Sequence, residues 1–233
     1  MSFIATPLGS ILGFIFNFTN SYAIAIIILT LLIKIVLFPL SISQIQSTKK
    51  MNEVQPKIKE LQKKYKNDKE TLNIKTMELY KDYKINPLSG CLPLLIQLPI
   101  LIGLFTVLRE PTIYVFGGSM EMASEILGKG FLWLKDLSQP DLISNIWPNG
   151  PEMITGLPGI LPIVSSATTY IQMKTMNTGA AQNSTTKTMA ITMPIMILWF
   201  GKTFAAGLLI YWTVSNIFQM GQQYVINNHY KKD

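Results

Sequence analysis

The chain has 233 residues, of which 48% are hydrophobic and only 14% charged, with a mean hydropathy of +0.30 and a formal net charge of +7. A water-soluble domain of this size carries about 25% charged residues, so an ordinary soluble domain is excluded. The single histidine and single cysteine, His229 and Cys91, leave no internal disulfide, zinc cluster or Cys/His dyad, and no metal or other cofactor is expected.

Residues 1–20 carry no charge, so the basic start of a cleaved signal peptide is missing. Ile4, Leu8, Ile11, Leu12 and Ile15 recur at helical spacing. They predict an amphipathic helix lying on the outer membrane surface, with a frayed terminus as the alternative. Residues 21–43 form the first predicted span. Tyr22–Leu40 is apolar except for Lys34 and approaches the roughly 20 residues that a crossing needs. A cation in mid-span costs about 2.5–3.5 kcal/mol on insertion scales, a cost tolerated where the charge meets water or a partner. Thr30, Lys34, Ser41, Gln44 and Thr48 fall on one helical stripe. Snorkelling is the competing reading. Lys34 lies six residues from Leu40, about 9 Å along a helix, and a lysine stem reaches about 6 Å.

Residues 44–86 hold eleven lysines and six acids. Met51, Val54, Ile58, Leu61 and Tyr65 step by three and four, as do Leu72, Thr76, Leu79 and Tyr83, with Lys66–Lys69 between the runs. This predicts an antiparallel helical hairpin with a thin apolar seam, in which Pro56 starts or kinks the first helix. Its basic face, including Lys57, Lys59, Lys63 and Lys64, suits anionic lipid, ribosomal RNA or a targeting factor, or else is a solvated face that fixes topology. Residues 87–108 are the second span, with Gln97 beside Pro99. The loop 109–156 is net acidic and contains Trp133 and Trp147, expected as interfacial anchors.

Residues 157–173 are the third span, with Ser165, Thr169 and Gln172 on one face. A loop at 174–187 leads to a hairpin of two spans, 188–202 and 204–226, broken at Gly201-Lys202-Thr203. Lys187 and Lys202 are expected to snorkel from the short fourth span. The fifth presents Thr213, Asn216, Gln219 and Gln223 beside Tyr211 and Trp212, and the tail is 227–233. With the N-terminus outside, the inner segments carry fifteen cations and the outer ones four. The positive-inside rule therefore predicts an all-α polytopic membrane protein with five spans, N-terminus out and C-terminus in. The polar side chains either line a wet cavity with Lys34 or glue the bundle at about 0.6 kcal/mol each. No acid lies within a span, no paired broken helices occur and no P-loop is present. A proton relay, an inverted-repeat transporter, a nucleotide-driven pump and an enzyme are all disfavoured.

Asn86–Phe105, NPLSGCLPLLIQLPILIGLF, resembles the second-span signature of YidC-type membrane protein insertases, whose relatives include the mitochondrial oxidase-assembly and thylakoid Albino-type proteins. Phe131–Asp141, Thr169–Lys174 and Ala206–Asn216 followed by Gln222-Gln223 resemble further family segments in the same order. The resemblance implies a five-helix core in a bacterial plasma membrane, with a hydrophilic groove open to cytoplasm and lipid and closed outward. Lys34, Gln97, Gln172, Tyr211 and Trp212 match its groove positions, and Thr30 and Asn216 join them by the helical-face argument. The basic hairpin matches the family's substrate-receiving element. Implied partners are nascent membrane proteins and the bilayer, with the ribosome, a targeting factor and the Sec channel beyond them; an intramembrane chaperone acting beside the Sec channel is the second reading. Two departures stand out. The first-span cation is lysine where arginine is usual, which keeps the charge and loses the planar fork. The tail is short, and no large outer domain of the kind in some relatives is expected.

Overall fold

The computed structural model describes residues 2–85, 92–176 and 184–229. Within these the chain forms eleven α-helices and no strand, only two isolated bridges in the loop region. The expected start of the second span, residues 177–183 of the 174–187 loop, Cys91, the Lys187 side chain and the tail lysines Lys231 and Lys232 lie outside the described residues.

Helix α1 (Ser2–Thr19) ends at Asn20, which takes a left-handed conformation at φ 50° that asparagine tolerates. Ser21 then caps α2 (Tyr22–Val36) by accepting from the Ile24 N–H. The first predicted span does not form one continuous helix. The sequence predicted a first span running through residue 43, whereas the helix stops at Val36 and α3 (Phe38–Lys64) leaves at 60°. Pro39 supplies the physical reason. It has no N–H for the Ile35 carbonyl and its ring crowds that carbonyl, so the chain turns at Leu37 and restarts with proline in the first turn of α3. The expected stripe from Thr30 to Thr48 is therefore split between two axes. Pro56 lies inside α3 and does not start it.

Asp68 caps α4 (Lys69–Asp82), its carboxylate accepting from both the N–H and the hydroxyl of Thr71. Val54 and Ile58 are buried in the α3–α4 hairpin, and Leu61, Leu72, Thr76 and Leu79 are half-buried. Helices α5 (Leu92–Arg109), α9 (Ile160–Met176), α10 (Ser184–Phe200) and α11 (Ala206–His229) complete the bundle. A 3-10 turn at Gly201–Thr203 joins the last two where the sequence placed their break. Helix α9 packs mainly on α10 and α11, α11 on α2, and α1 on α2 and α5.

Helix α1 packs one face on the bundle. It buries Ala5, Gly9, Leu12 and Ile15 against the bundle and exposes Phe3, Phe14 and Phe18. It is also the one described helix that alone is long and apolar enough to cross a membrane; α2 qualifies only jointly with α3 across the bend. Close approach fixes α1 in place. A Cβ at Gly103 would sit 2.6 Å from Ile4 Cγ2, and one at Gly9 would overlap the Tyr114 carbonyl oxygen. Such contacts favour association because lipid tails, as apolar as leucine, provide little drive of their own.

The segment 109–156 is a folded cap. It contains the short helices α6 (Pro111–Tyr114), α7 (Met120–Leu127) and α8 (Glu152–Thr155), and its Phe116, Ala123, Ile126, Leu127, Leu134 and Leu137 join the core formed by α1, α2, α5 and α11. Asp141 organises this region. It is 0% exposed and accepts from the Leu161 N–H (2.7 Å), the Trp133 indole (3.1 Å) and Asn145 Nδ2 (3.3 Å). It thus acts as a remote N-cap for α9, where a carboxylate is also favoured by the helix dipole. Trp133, expected at the interface, instead points inward to this carboxylate, whereas Trp147 is exposed. Gly159 is required beside them, since its Cβ would meet the Asp141 carboxyl carbon at 2.6 Å. The start of α11 is held likewise, with Ala206 N–H donating to Gln139 O and Gly207 N–H to Leu137 O.

Candidate functional site

The bend makes Lys34 part of the last turn of α2 rather than a mid-helix residue. A cation there faces the negative end of the helix dipole, worth about 0.3–1 kcal/mol or more when shielded from water. The side chain is 6% exposed, and no carboxylate among the described residues pairs with it. Its depth follows from neighbouring contacts. Tyr22, at the start of α2, packs with a tilted ring against Phe116 of the cap, and α11 also begins at the cap, so the two helices run in the same direction. Ile26 Cδ1 lies 3.1 Å from where a Gly207 Cβ would be. Eight residues further along both helices, about 12 Å, Lys34 stands level with Ser215 and Asn216 of α11. It is also roughly 18 Å from the Tyr22 end, while the hydrocarbon core is about 30 Å thick.

The other expected site residues fall into two groups. Gln97 Nε2 donates to the Tyr211 hydroxyl at 2.5 Å, tying α5 to α11. Trp212 Nε1 and Asn216 Nδ2 instead both donate to Thr169 Oγ1, at 3.0 and 2.8 Å. That hydroxyl donates back to Ser165 O (2.7 Å), so its one donor and two lone pairs are all used. Ser165 Oγ and Thr213 Oγ1 lie 2.7 Å apart, and Ser166 Oγ donates to Pro194 O at 2.8 Å. The α9–α11 interface is therefore a satisfied polar seam. Trp212 and Asn216, predicted to line a cavity, spend these donors on holding two helices together. Thr30 is buried and donates to Ile26 O within its own helix. Gln172 is half-buried, one turn beyond Thr169.

Among the described residues, two buried polar atoms have no hydrogen-bond partner, Tyr22 Oη and Gln222 Nε2. Gln222 lies eleven residues, three helical turns, past Tyr211, on the same face of α11. Its environment was not apparent from the sequence, because a glutamine in a polar run looks the same whether paired or not. On the hairpin, Lys57, Lys59, Lys63 and Lys64 are all exposed. Lys57 donates to the Tyr83 hydroxyl, bridging α3 to the end of α4, and this hydrogen bond holds its ammonium above the usual lysine range. Lys64 lies over the Tyr65 ring at 5.5 Å. Among the described residues no group of His, Cys, Asp or Glu is placed to hold a metal ion.

A model of the 60Kd inner membrane protein family matches residues 14–233. The chain belongs to this family. The membrane protein insertase YidC of Fusobacterium nucleatum is 39% identical over 230 residues, an alignment covering 97% of this chain and 98% of that protein. The Clostridium acetobutylicum YidC is 46% identical over 224 residues, covering 93% and 79%. The YidC of Syntrophobacter fumaroxidans is 37% identical over 230 residues, but this chain spans only 38% of its length. Among solved structures, an active YidC insertase with its first transmembrane domain resolved matches with a TM-score of 0.63 and 28% identity, over 91% of this chain and 43% of that one. The helical fold is thus the YidC-type fold, and the protein is one of the bacterial inner membrane.

Proposed function

We propose that this protein is an insertase that moves nascent membrane proteins from the cytoplasm into the bilayer without nucleotide or cofactor. In this reading α2, α5, α9, α10 and α11 cross the membrane, the N-terminus is outside, the lysine-rich hairpin is cytoplasmic, and α1 with the 109–156 cap lies at the outer face. The fifteen-to-four division of cations supports that orientation. The observation that carries the mechanism is Lys34, buried in the last turn of a helix that breaks three residues later, with no carboxylate paired to it among the described residues.

An acidic or polar segment of a client, received at the hairpin, is drawn to this ammonium from the α3 end of α2. Gln97, Tyr211, Gln172 and Gln222 supply neutral donors and acceptors along its way, while the apolar part of the client partitions into lipid at about 0.8 kcal/mol per CH₂. Helix length shortens the remaining path. At 15 and 17 residues, α2 and α9 come to roughly 22–26 Å, so the bilayer thins or the chain ends snorkel around them.

A client carboxylate about 8 Å from Lys34 gains roughly 2 kcal/mol at an effective dielectric of 20, equivalent to about 30-fold in rate. In liposomes containing only this protein, Lys34→Ala is expected to slow insertion of a single-span client with an acidic outer tail by about that factor. Lys34→Arg is expected to preserve insertion. Wild-type rates for Lys34→Ala would refute the mechanism.

A further inference from the structure

At the cap end of the bundle, far from Lys34, the last turn of α5 and the start of α11 enclose a pocket of about 380 Å³. One wall is apolar: Phe105 and Phe204 meet edge to face with centroids 6.4 Å apart, and Leu208 continues the wall. Arg109, Ser138 and Thr203 add polar groups to the lining. The Arg109 guanidinium lies 5.8 Å from the Phe105 ring, a cation–π contact that holds it against the apolar lining. No carboxylate among the described residues forms an ion pair with it.

Both hydroxyls have already used their protons. Ser138 Oγ donates to Asp136 Oδ1 and Thr203 Oγ1 to Phe200 O, each at 2.7 Å. What they offer a ligand is lone pairs. The pocket therefore presents a bidentate cation, then acceptors, beside an apolar wall. A second observation fixes its depth. Trp199 and Lys202 lie at the same end, with the ammonium 4.4 Å from the indole ring, an aromatic–cation pair of the kind that anchors helices at headgroup level.

We propose that this pocket binds a phospholipid whose headgroup carries hydrogen-bond donors. The phosphate sits on Arg109, the hydroxyl or ammonium protons of the headgroup meet Ser138 and Thr203, and the start of an acyl chain runs along Phe105, Phe204 and Leu208. The proposal requires only that the chain lies in a bilayer, and it stands apart from the transport reading of Lys34.

The test is native mass spectrometry of the full chain in detergent, titrated separately with short-chain phosphatidylglycerol, phosphatidylethanolamine and phosphatidylcholine, and with inorganic phosphate. Phosphatidylglycerol and phosphatidylethanolamine are expected to bind about tenfold tighter than phosphatidylcholine, whose headgroup has no donor. Arg109→Gln is expected to weaken both about tenfold, while Lys202→Gln leaves them unchanged. Thr203→Val, at an exposed position that should not disturb folding, is expected to narrow the advantage over phosphatidylcholine. Equal affinity in Arg109→Gln, phosphatidylcholine binding as tightly as the others, or no lipid binding would each overturn the proposal. So would displacement of lipid by equimolar inorganic phosphate, which would mark a free-anion site.

Discussion

Lys34 and Asp141 are both ionisable and both buried, at 6% and 0% exposure, yet their surroundings are opposite. Asp141 collects three N–H donors from Trp133, Asn145 and Leu161, whereas Lys34 forms no ion pair among the described residues. The first environment is structural and the second is suited to a passing partner. Asp141→Ala would leave the indole and the Leu161 N–H unpaired at about 1–3 kcal/mol each. The variant is expected to lower the thermal unfolding midpoint in detergent markedly, while Asp136→Ala, whose carboxylate serves only the adjacent Ser138 turn, changes it little. Equal midpoints for the two variants would deny Asp141 its capping role. At this scale the sequence is uneven. Lys34 stands out as the lone cation in an apolar run, but Asp141 looks like any other loop acid, because its backbone partner is twenty residues away. Trp212 and Asn216 were identifiable as polar groups within a span, but their partner Thr169 lies on another helix, and only packing decides between seam and cavity.

Among the elements, the turn at Leu37 has the largest consequences, since it places Lys34 in the last turn of α2 and aims α3 away from α2. Pro39→Ala restores a donor for the Ile35 carbonyl and is expected to straighten the pair. For spin labels replacing Ile24 and Asn52, straightening a 60° bend lengthens the separation by about 6 Å at 1.5 Å per residue, measurable by pulsed electron resonance. An unchanged distance would mean that tertiary contacts, not proline, set the turn. The periodicity of residues 51–83 was sufficient to give the hairpin and its seam, and Gly201-Lys202-Thr203 the α10–α11 turn. The bend was not legible in the same way, because Pro56, Pro99 and Pro194 all sit inside helices. A proline ends a helix only where the surrounding packing lets the chain leave.

For the whole molecule, charge distribution carries the orientation. In a Cys91→Ser background, a cysteine replacing Lys129 is expected to react with an impermeant maleimide from outside intact cells, and one replacing Lys63 only in inverted vesicles. The reverse pattern would invert the proposed topology. The apolar runs and the fifteen-to-four asymmetry made the helical class readable from sequence, whereas the folded cap did not announce itself, its hydrophobic positions being scattered among short turns. That cap also bears on the order of biogenesis. The atoms that close the first turns of α9 and α11, namely the Asp141 carboxylate and the Leu137 and Gln139 carbonyls, are all translated before the helices they serve. Both helices therefore meet the acceptors for their first turns already made as they emerge from the ribosome, so these two ends can be closed in the direction of synthesis.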